Sequence, residues 1–217
     1  MTTVIAVDGP SGSGKSSTSR GVATKLGFAY LDTGAMYRAM TWAMLNSGVD
    51  VHDAGAVAAA AAGVEIGSGT DPVEPTITVN GVDVSGPIRD ADVTAAVSHV
   101  ASVPQVRSQL VALQRAAIAA ADRGIVAEGR DIGTSVAPEA DLKIYLVADP
   151  VARAERRAAE LGIEDATAMA QALAKRDAID SNRAASPLTQ AADAVVVDGT
   201  HLTLEEVIDH IVGLVHN

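Results

Sequence analysis

Short unbroken apolar runs alternate along the chain with longer stretches in which apolar residues recur every three to four positions. Val4-Ile5-Ala6-Val7 is the first run and predicts a buried strand. The stretch beyond the next loop reads as a helix to Leu26, stopped by Gly27. Phe28 to Leu31 predicts a second short strand. Met36, Met40, Ala43 and Met44 then recur at helical spacing up to Asn46-Ser47-Gly48, and an alanine-rich helix is expected over about 54–62. Ile125-Val126-Ala127, Leu142 to Val147 and Ala194 to Val197 supply three more buried strands. The last helix opens with a Thr203–Glu206 capping box and repeats Val207, Ile208, Ile211, Val212 and Val215 on one face. Strands alternating with helices predict an α/β fold of three layers, a five-stranded parallel sheet with helices on both faces.

One segment departs from the alternation. Between about Gly63 and Pro87 two alternating runs, Thr76 to Val79 and Val82 to Val84, flank Asn80-Gly81. Asn-Gly in that position is a strong hairpin signal, because both residues accept positive φ. A small antiparallel insert is therefore expected between the second and third core strands. Two helices follow it, one over about 90–101 and one from Pro104, whose fixed φ suits a first helical position, to Gly124. An insert at this point of the chain fits a mobile substrate-binding lobe better than a neutral elaboration.

Composition narrows the chemistry. Hydrophobic residues are 48% of the 217 but aromatics only 2%, so the core must be built from Ala, Val, Leu and Ile. There is no cysteine, which excludes disulfides, thiol catalysis and cysteine metal sites. No apolar run reaches membrane-spanning length, and the N-terminus enters a strand without a signal pattern. No membrane association and a cytoplasmic location are expected. The net charge of −11 and pI near 4.7 argue against a nucleic-acid partner, whose phosphates need a basic surface. They leave room for a small phosphorylated ligand in a locally positive cleft. The cations are twelve arginines and four lysines, and arginine grips phosphate in two places. His52, His99, His201, His210 and His216 show no metal-ligand spacing, and Trp42 reads as packing.

The sharpest chemical signal is Gly9-Pro10-Ser11-Gly12-Ser13-Gly14-Lys15-Ser16, a complete G-x-x-x-x-G-K-[ST] loop between a predicted strand and a predicted helix. Its glycines let successive N–H groups turn inward toward a phosphate chain, and the helix N-terminus adds positive dipole. Lys15 is placed to reach the β- and γ-phosphates and Ser16 to help hold Mg²⁺. Two further polar segments close apolar strands, Asp32 to Arg38 and Glu128 to Asp131. Strand ends are where open parallel sheets bind ligands. An acidic residue such as Glu128 can hold a Mg²⁺ water there, and Arg130 can grip a phosphate. Arg153, Arg156 and Arg157 share a helical face, as do Arg176, Asp180 and Arg183. Such arginines on a closing lid would balance charge on a phosphoryl group in transfer and keep water away from it.

Taken together these segments closely resemble the bacterial cytidylate kinases, the nucleoside monophosphate kinases that convert CMP and dCMP to diphosphates with ATP. The motifs that carry the resemblance are IAVDGPSGSGKSS (Ile5 to Ser17), LDTGAMYR (Leu31 to Arg38), DVSGPIR (Asp83 to Arg89) and the segment around Pro104 and Arg107. EGRDIGT (Glu128 to Thr134), KRDAIDSNRAASPL (Lys175 to Leu188) and ADAVVVD (Ala192 to Asp198) complete the set. The resemblance covers nearly the whole chain and implies a P-loop kinase fold in a single domain. Its core would be about 1–38, 103–152 and 184–217, its monophosphate-binding insert about 39–102 and its short lid about 153–183. ATP phosphates are implied at Gly9, Pro10, Ser11, Gly12, Ser13, Gly14, Lys15, Ser16 and Ser17, with Mg²⁺ near Ser16 and, through water, Glu128. Arg38, Arg130 and Arg176 are implied at the CMP phosphate, with Tyr37 beside them. Thr33 and Asp180 are implied at the ribose, and Ser98, Arg107, Asp131 and Arg183 around cytosine. Lys15, Arg130, Arg153 and Arg157 are the implied catalytic cations. Thr33 and Glu128 stand where many relatives have Ser and Asp, and Ser181 where some carry Arg. A monomer with CMP and dCMP as its small-molecule substrates is expected.

The residues themselves agree with that chemistry. Cytosine offers acceptors at O2 and N3 and a donor at its amino group, for which Arg107 and Asp131 hold the complementary groups. Uracil reverses two of these positions and would leave buried groups unpaired. Another P-loop small-molecule kinase, such as an adenylate or shikimate kinase, and a nucleotide-operated switch or binding module are the alternatives. No Asn-Lys-x-Asp element supports the switch.

Overall fold

The computed structural model describes residues 2–162 and 165–215, so His216 lies outside the described residues. Five parallel strands form the main sheet: β1 (Thr3–Asp8), β2 (Ala29–Asp32), β6 (Gly124–Gly129), β7 (Leu142–Val147) and β8 (Val195–Asp198), in spatial order β2-β6-β1-β7-β8. The apolar runs account for this. β6 is buried at all six positions, as a strand covered on both faces must be. In β1 the side chains alternate between two apolar layers. Ile5 and Val7 pack with Val22 and Ala23 of α1 (Lys15–Leu26) and with Ile208 and Ile211 of α8 (Leu204–Val215). Ala6 faces the other layer, with Met36, Met40 and Met44 of α2 (Thr33–Asn46) and Leu110 of α5 (Pro104–Ala119). Trp42, the single tryptophan, is partly buried against that second layer. Methionine's unbranched side chain fills the irregular gaps that so few aromatics leave.

The insert forms as the Asn-Gly signal predicts. β4 (Ile77–Val79) and β5 (Val82–Asp83) pair antiparallel, and Asn80 and Gly81 adopt φ 50° and 79° at the turn. A third strand, β3 (Ile66–Ser68), pairs on the other side of β4 and was not visible in the pattern. It has three residues, of which only the first is buried, too few for a period to register. The Asn80 side chain ties the turn to it by accepting from Glu65 N–H at 2.8 Å. Helices α3 (Ala54–Ala61) and α4 (Ala91–Ala101) complete the insert. Its apolar side chains Val57, Ile77, Val79 and Val97 join the same cluster as Leu31 and Ile125 of the sheet. The loop before β4 also reaches back to the core: Tyr30 N–H donates to Thr70 C=O at 2.8 Å, and Arg20 donates to Pro72 and Val73 carbonyls at 2.8 Å each.

Two sequence expectations shift at their edges. α5 ends at Ala119, not Gly124, and Gly124 instead opens β6. The Phe28 ring packs where a Gly124 Cβ would stand, 2.6 Å away. The capping box at the last helix is present, with Thr203 N–H donating to Glu206 Oε2 at 2.8 Å and Glu206 N–H to Thr203 Oγ1 at 3.3 Å. Helices α6 (Pro150–Leu161) and α7 (Ala166–Asn182) pack together beyond β7. Among the described residues no helix is long and apolar enough to cross a membrane.

The turn out of β1 leaves no room for a side chain. Gly9 has φ 151°, and a Cβ there would stand 2.1 Å from the Leu146 carbonyl oxygen of β7. Gly14 has φ 90° but open space around it. Gly9→Ala should therefore lower the free energy of unfolding in urea by more than about 2 kcal/mol, since a neighbouring strand's backbone must move. Gly14→Ala should cost about 1 kcal/mol, from its left-handed conformation alone.

Candidate functional site

The carboxyl ends of β1, β2 and β6 open into one cleft of about 490 Å³. Strand order makes this happen: β1 is central, the chain crosses from it to β2 over the place β6 later fills, and the ends diverge. The loop from Gly9 to Ser16 follows β1 and passes into α1, with Ser11 to Ser17 facing the cleft. Lys15 is buried, and its ammonium donates to Pro10 C=O at 2.7 Å. Burial, then the Arg130 charge, press the Lys15 pKa down.

The acidic chain gathers its cations here. Of its 16 lysines and arginines, Lys15, Arg20, Arg38, Arg89, Arg130, Arg156, Arg157 and Arg176 line the cleft, against the carboxylates of Asp32 and Glu128. Arg130 is the hub. Its Nε donates to Asp180 Oδ2 at 3.0 Å, Nη1 to Gly9 C=O at 3.0 Å and Nη2 to Ser11 Oγ at 2.6 Å. Arg38 is held by Ile88 C=O at 3.2 Å and Thr94 Oγ1 at 2.8 Å. Burial, then the Arg130 and Arg38 charges, push the Arg176 guanidinium down, and its buried Nε has no hydrogen-bond partner. Arg38 is pushed down by burial and next by Arg157. The structure brings Arg38, Arg130 and Arg176 together beside Lys15.

A second, smaller cavity of about 60 Å³ adjoins the first, lined by Thr33, Tyr37, Ser98, Asp131, Asp180 and Arg183 among others, with Arg130 and Arg176 on its border. Asp131 accepts from Arg107 on one oxygen and from Arg183 Nη2 at 3.0 Å on the other. Ser98 Oγ donates to Asp180 Oδ1 at 3.0 Å. Burial alone would raise the Asp180 carboxyl, but Arg130 and Arg176 outweigh it and hold it below the ordinary range. Thr33 Oγ1 donates to Glu128 C=O at 2.7 Å, tying the start of α2 to the end of β6. Arg107 reaches this site from behind Asp131, with its guanidinium carbon 5.4 Å from the centroid of the Tyr37 ring.

The three arginines of α6 differ in their contacts. Arg157 lines the cleft next to Arg38 and Arg176 in charge. Arg156 lines it too, but donates to Gly199 C=O at 2.6 Å and Thr200 C=O at 3.2 Å. Arg153, expected at the transferred phosphoryl, does not line the cleft among the described residues. Its Nη1 donates to Ser11 C=O at 2.9 Å and pairs with Asp177 of α7. Asp177 in turn accepts from Ser11 N–H at 2.9 Å, so a carboxylate sits on a phosphate-loop amide. The sequence reading missed Asp177, although it adjoins Arg176 in a quoted motif. It also missed Arg89, Tyr30 and Asp8. The Tyr30 hydroxyl donates to Glu128 Oε1, and both Tyr30 and Glu128 lie against Ser16. Burial, then Asp32, raise the Glu128 carboxyl.

Among the described residues no three acidic or histidine side chains converge as a ready-made metal cage. A magnesium ion that arrives on a triphosphate needs only one or two protein oxygens. Ser16, Asp32 and Glu128, all lining the cleft beside the phosphate loop, are hard oxygen donors that fit it.

A family model described as cytidylate kinase matches residues 5–217. The cytidylate kinase of Streptomyces griseus is 60% identical over 212 residues, covering 98% of this chain and 92% of that protein. The cytidylate kinase of Streptomyces coelicolor is 59% identical with the same coverage. Among solved structures, a gluconokinase from Sinorhizobium meliloti aligns with a TM-score of 0.52 at 15% identity, over 97% of this chain and 90% of that one, a likeness of fold.

Asp8 at the end of β1 accepts from the N–H groups of Ile132 and Gly133 at 2.8 Å each, holding the loop that carries Arg130 and Asp131. Burial, opposed by those two bonds, raises its pKa from 3.8 to about 6. Well below pH 3.8 neither the folded nor the unfolded carboxyl is ionised. As pH climbs from 4 to 6 the unfolded chain ionises first, so stability is lost. The loss is complete above the folded value and is on the order of 3 kcal/mol. The stability of the ligand-free protein relative to Asp8→Asn should fall by that amount between pH 4 and 6.5 and then level off. A pH-independent difference in urea titrations would contradict the assignment.

Proposed function

The chain belongs to the cytidylate kinase family, and on that premise we propose that its cleft transfers the γ-phosphoryl group of ATP to CMP or dCMP, giving CDP or dCDP and ADP. One observation carries the reading: the cations around Lys15 and those around Arg176 meet in a single cleft that opens onto the Asp131 cavity. Two anionic nucleotides can thus lie end to end, phosphate to phosphate.

ATP places its phosphates on the Gly9 to Ser16 loop, where Lys15 leaves Pro10 for the β- and γ-phosphates. The CMP phosphate lies among Arg38, Arg130 and Arg176. Its oxygen is already a nucleophile, so no strong general base is needed. That oxygen bonds to the γ-phosphorus as the bond to the β-phosphate bridging oxygen breaks, and ADP departs with the electron pair. Positioning and charge neutralisation account for the acceleration. Arg157, already in the cleft, is the lid cation that follows the transferred group. Arg153 braces Ser11 and Asp177 behind it. Ser16 and, through water, Glu128 would hold Mg²⁺, which when bound neutralises phosphate charge and fixes phosphate geometry. Thr33 and Asp180 receive the ribose. Ser98, Arg107, Asp131 and Arg183 surround the base, with Asp131 accepting from the cytosine amino group. The insert over about 39–102 acts as the monophosphate lobe and about 153–183 as the lid, on a core of 1–38, 103–152 and 184–217. α2 runs unbroken across the first of these borders, so the lobe turns with a helix anchored in the core. The working unit is a monomer that binds no nucleic acid.

A coupled assay of ADP release tests this. CMP and dCMP should be turned over with ATP and Mg²⁺, and UMP at least tenfold less efficiently in kcat/KM. Lys15→Ala and Arg130→Ala should each lower kcat/KM for CMP by about 10²-fold or more, in line with the loss of a charge-stabilising donor. Equal turnover of UMP would refute the base-recognition scheme. Near-normal turnover by either variant would refute its assigned role.

A further inference from the structure

Ser11, the third residue of the phosphate loop, is held at each of its polar atoms by a different side chain. Its N–H donates to Asp177 Oδ1 at 2.9 Å, its C=O accepts from Arg153 Nη1 at 2.9 Å, and its Oγ accepts from Arg130 Nη2 at 2.6 Å. Arg153 also pairs with the other oxygen of Asp177, so α6, α7 and the loop close into one ring of contacts. Both charged side chains are mostly buried, unlike a solvated surface pair that would contribute little. Packing extends the grip to the next residue. A Cβ on Gly12, whose φ is 76°, would stand 3.0 Å from the Arg153 carbonyl oxygen and 3.3 Å from Leu173 Cδ1. Leu173 lies one turn before Asp177 on α7. The curve of the loop from Ser11 to Gly12 is thus moulded on α6 and α7.

Charge alone argues against a carboxylate here. The loop is shaped for a phosphate chain, and the Asp177 charge is felt at the Lys15 ammonium. A negative group so placed opposes an anionic ligand. Asp177, however, lines neither cavity, whereas Arg176 beside it in sequence lines both. The carboxylate therefore engages the Ser11 N–H from behind the loop. A bond from a backbone N–H to a carboxylate is strong and directional, and it fixes the peptide plane. The plane at Ser11 sets the direction of the amides that follow, which are the groups that cradle phosphate. Adjacent residues of α7 thus serve the two halves of the cleft, Asp177 at the phosphate loop and Arg176 at the cavity border.

Resting on the CMP kinase reading, we propose that Asp177, braced by Arg153, is a positioning residue for ATP. It holds the Ser11 peptide so that the amides beyond it face the phosphates, and it does so only while α7 is seated. Arg176 on the same turn takes the CMP phosphate, so CMP fixes α7 and tightens the seat of ATP. Asp177 touches neither nucleotide.

The test compares wild type with Asp177→Ala and Asp177→Asn. Calorimetry with a non-hydrolysable ATP analogue and Mg²⁺, with and without CMP, is set beside kcat, KM and Tm. In Asp177→Ala the Kd of the analogue and the KM for ATP should rise about tenfold, the worth of one charge-assisted bond. The Kd of CMP alone should stay within about twofold. Asp177→Asn keeps an oxygen acceptor for the Ser11 N–H and should weaken ATP only about two- to threefold. In wild type CMP should tighten analogue binding, and the analogue should tighten CMP by the same factor. In Asp177→Ala that factor should fall to near one. Simple removal of a negative charge has the opposite sign and would tighten ATP binding. Tighter or unchanged ATP binding in Asp177→Ala, or a CMP effect as large as in wild type, would overturn the proposal. Equal losses for ATP and CMP with a lowered Tm would do the same, since a purely structural ion pair behaves so. If Asp177→Ala does not fold, Asp177→Asn decides by the same signs: weaker ATP binding with CMP unchanged supports the proposal, and tighter or unchanged ATP binding overturns it. Wild type that fails to phosphorylate CMP would instead overturn the kinase reading, and the ATP arm, which needs no CMP, would still decide the role of Asp177.

Discussion

Lys15, Arg38, Arg130 and Arg176 repel one another where they line a single cleft, and the surrounding residues act to contain that repulsion. Burial and mutual charge depress Lys15, Arg38 and Arg176. Carboxylates answer from the rear: Asp180 pairs with Arg130, Asp131 with Arg107 and Arg183, and Asp177 with Arg153. The face toward the cleft is left under-neutralised. An incoming phosphate relieves repulsion already stored in the folded chain, so binding draws on energy spent when the chain folded. Two substrates must each bring negative charge for the relief to be complete, which suits a phosphate-to-phosphate encounter.

The sheet makes this crowding mechanically possible. β1 is gripped on both sides by parallel neighbours, and the Gly9 turn presses against the Leu146 carbonyl with no room for a side chain. The phosphate loop therefore starts from a fixed point. Asp8, one residue earlier, fixes the neighbouring loop through two backbone bonds. Arg130 then bridges Gly9, Ser11 and Asp180, joining the loop after β1 to the cavity beside Asp180 through one guanidinium.

Much of this was legible in the sequence where the signal is local. The core strands are short apolar runs, broken in β7 by Lys143, the hairpin announces itself through Asn80-Gly81, and Thr203 with Glu206 marks the start of α8. The phosphate loop and the Arg38, Arg130 and Arg176 motifs name their own chemistry. What escaped is non-local. Asp177 meets Ser11 across a separation of 166 residues, and Arg153 turns to that pair instead of the cleft. Helical spacing placed Arg153 on the same face as Arg156 and Arg157, but spacing carries no information about what the opposing helix offers. β3 and the end of α5 failed for a different reason: a three-residue strand and a run of alanines give period-based reading nothing to grip.

The scarcity of aromatic residues has an optical consequence. Tyr30 lines the cleft beside Glu128 and Tyr37 lines the small cavity, while Tyr145 lies on β7. The lone indole, Trp42, rides on the helix that joins core to insert. Two of the three phenols therefore report on the cleft and the cavity beside it. Light at 295 nm interrogates α2 at a single point, with no background from elsewhere in the chain.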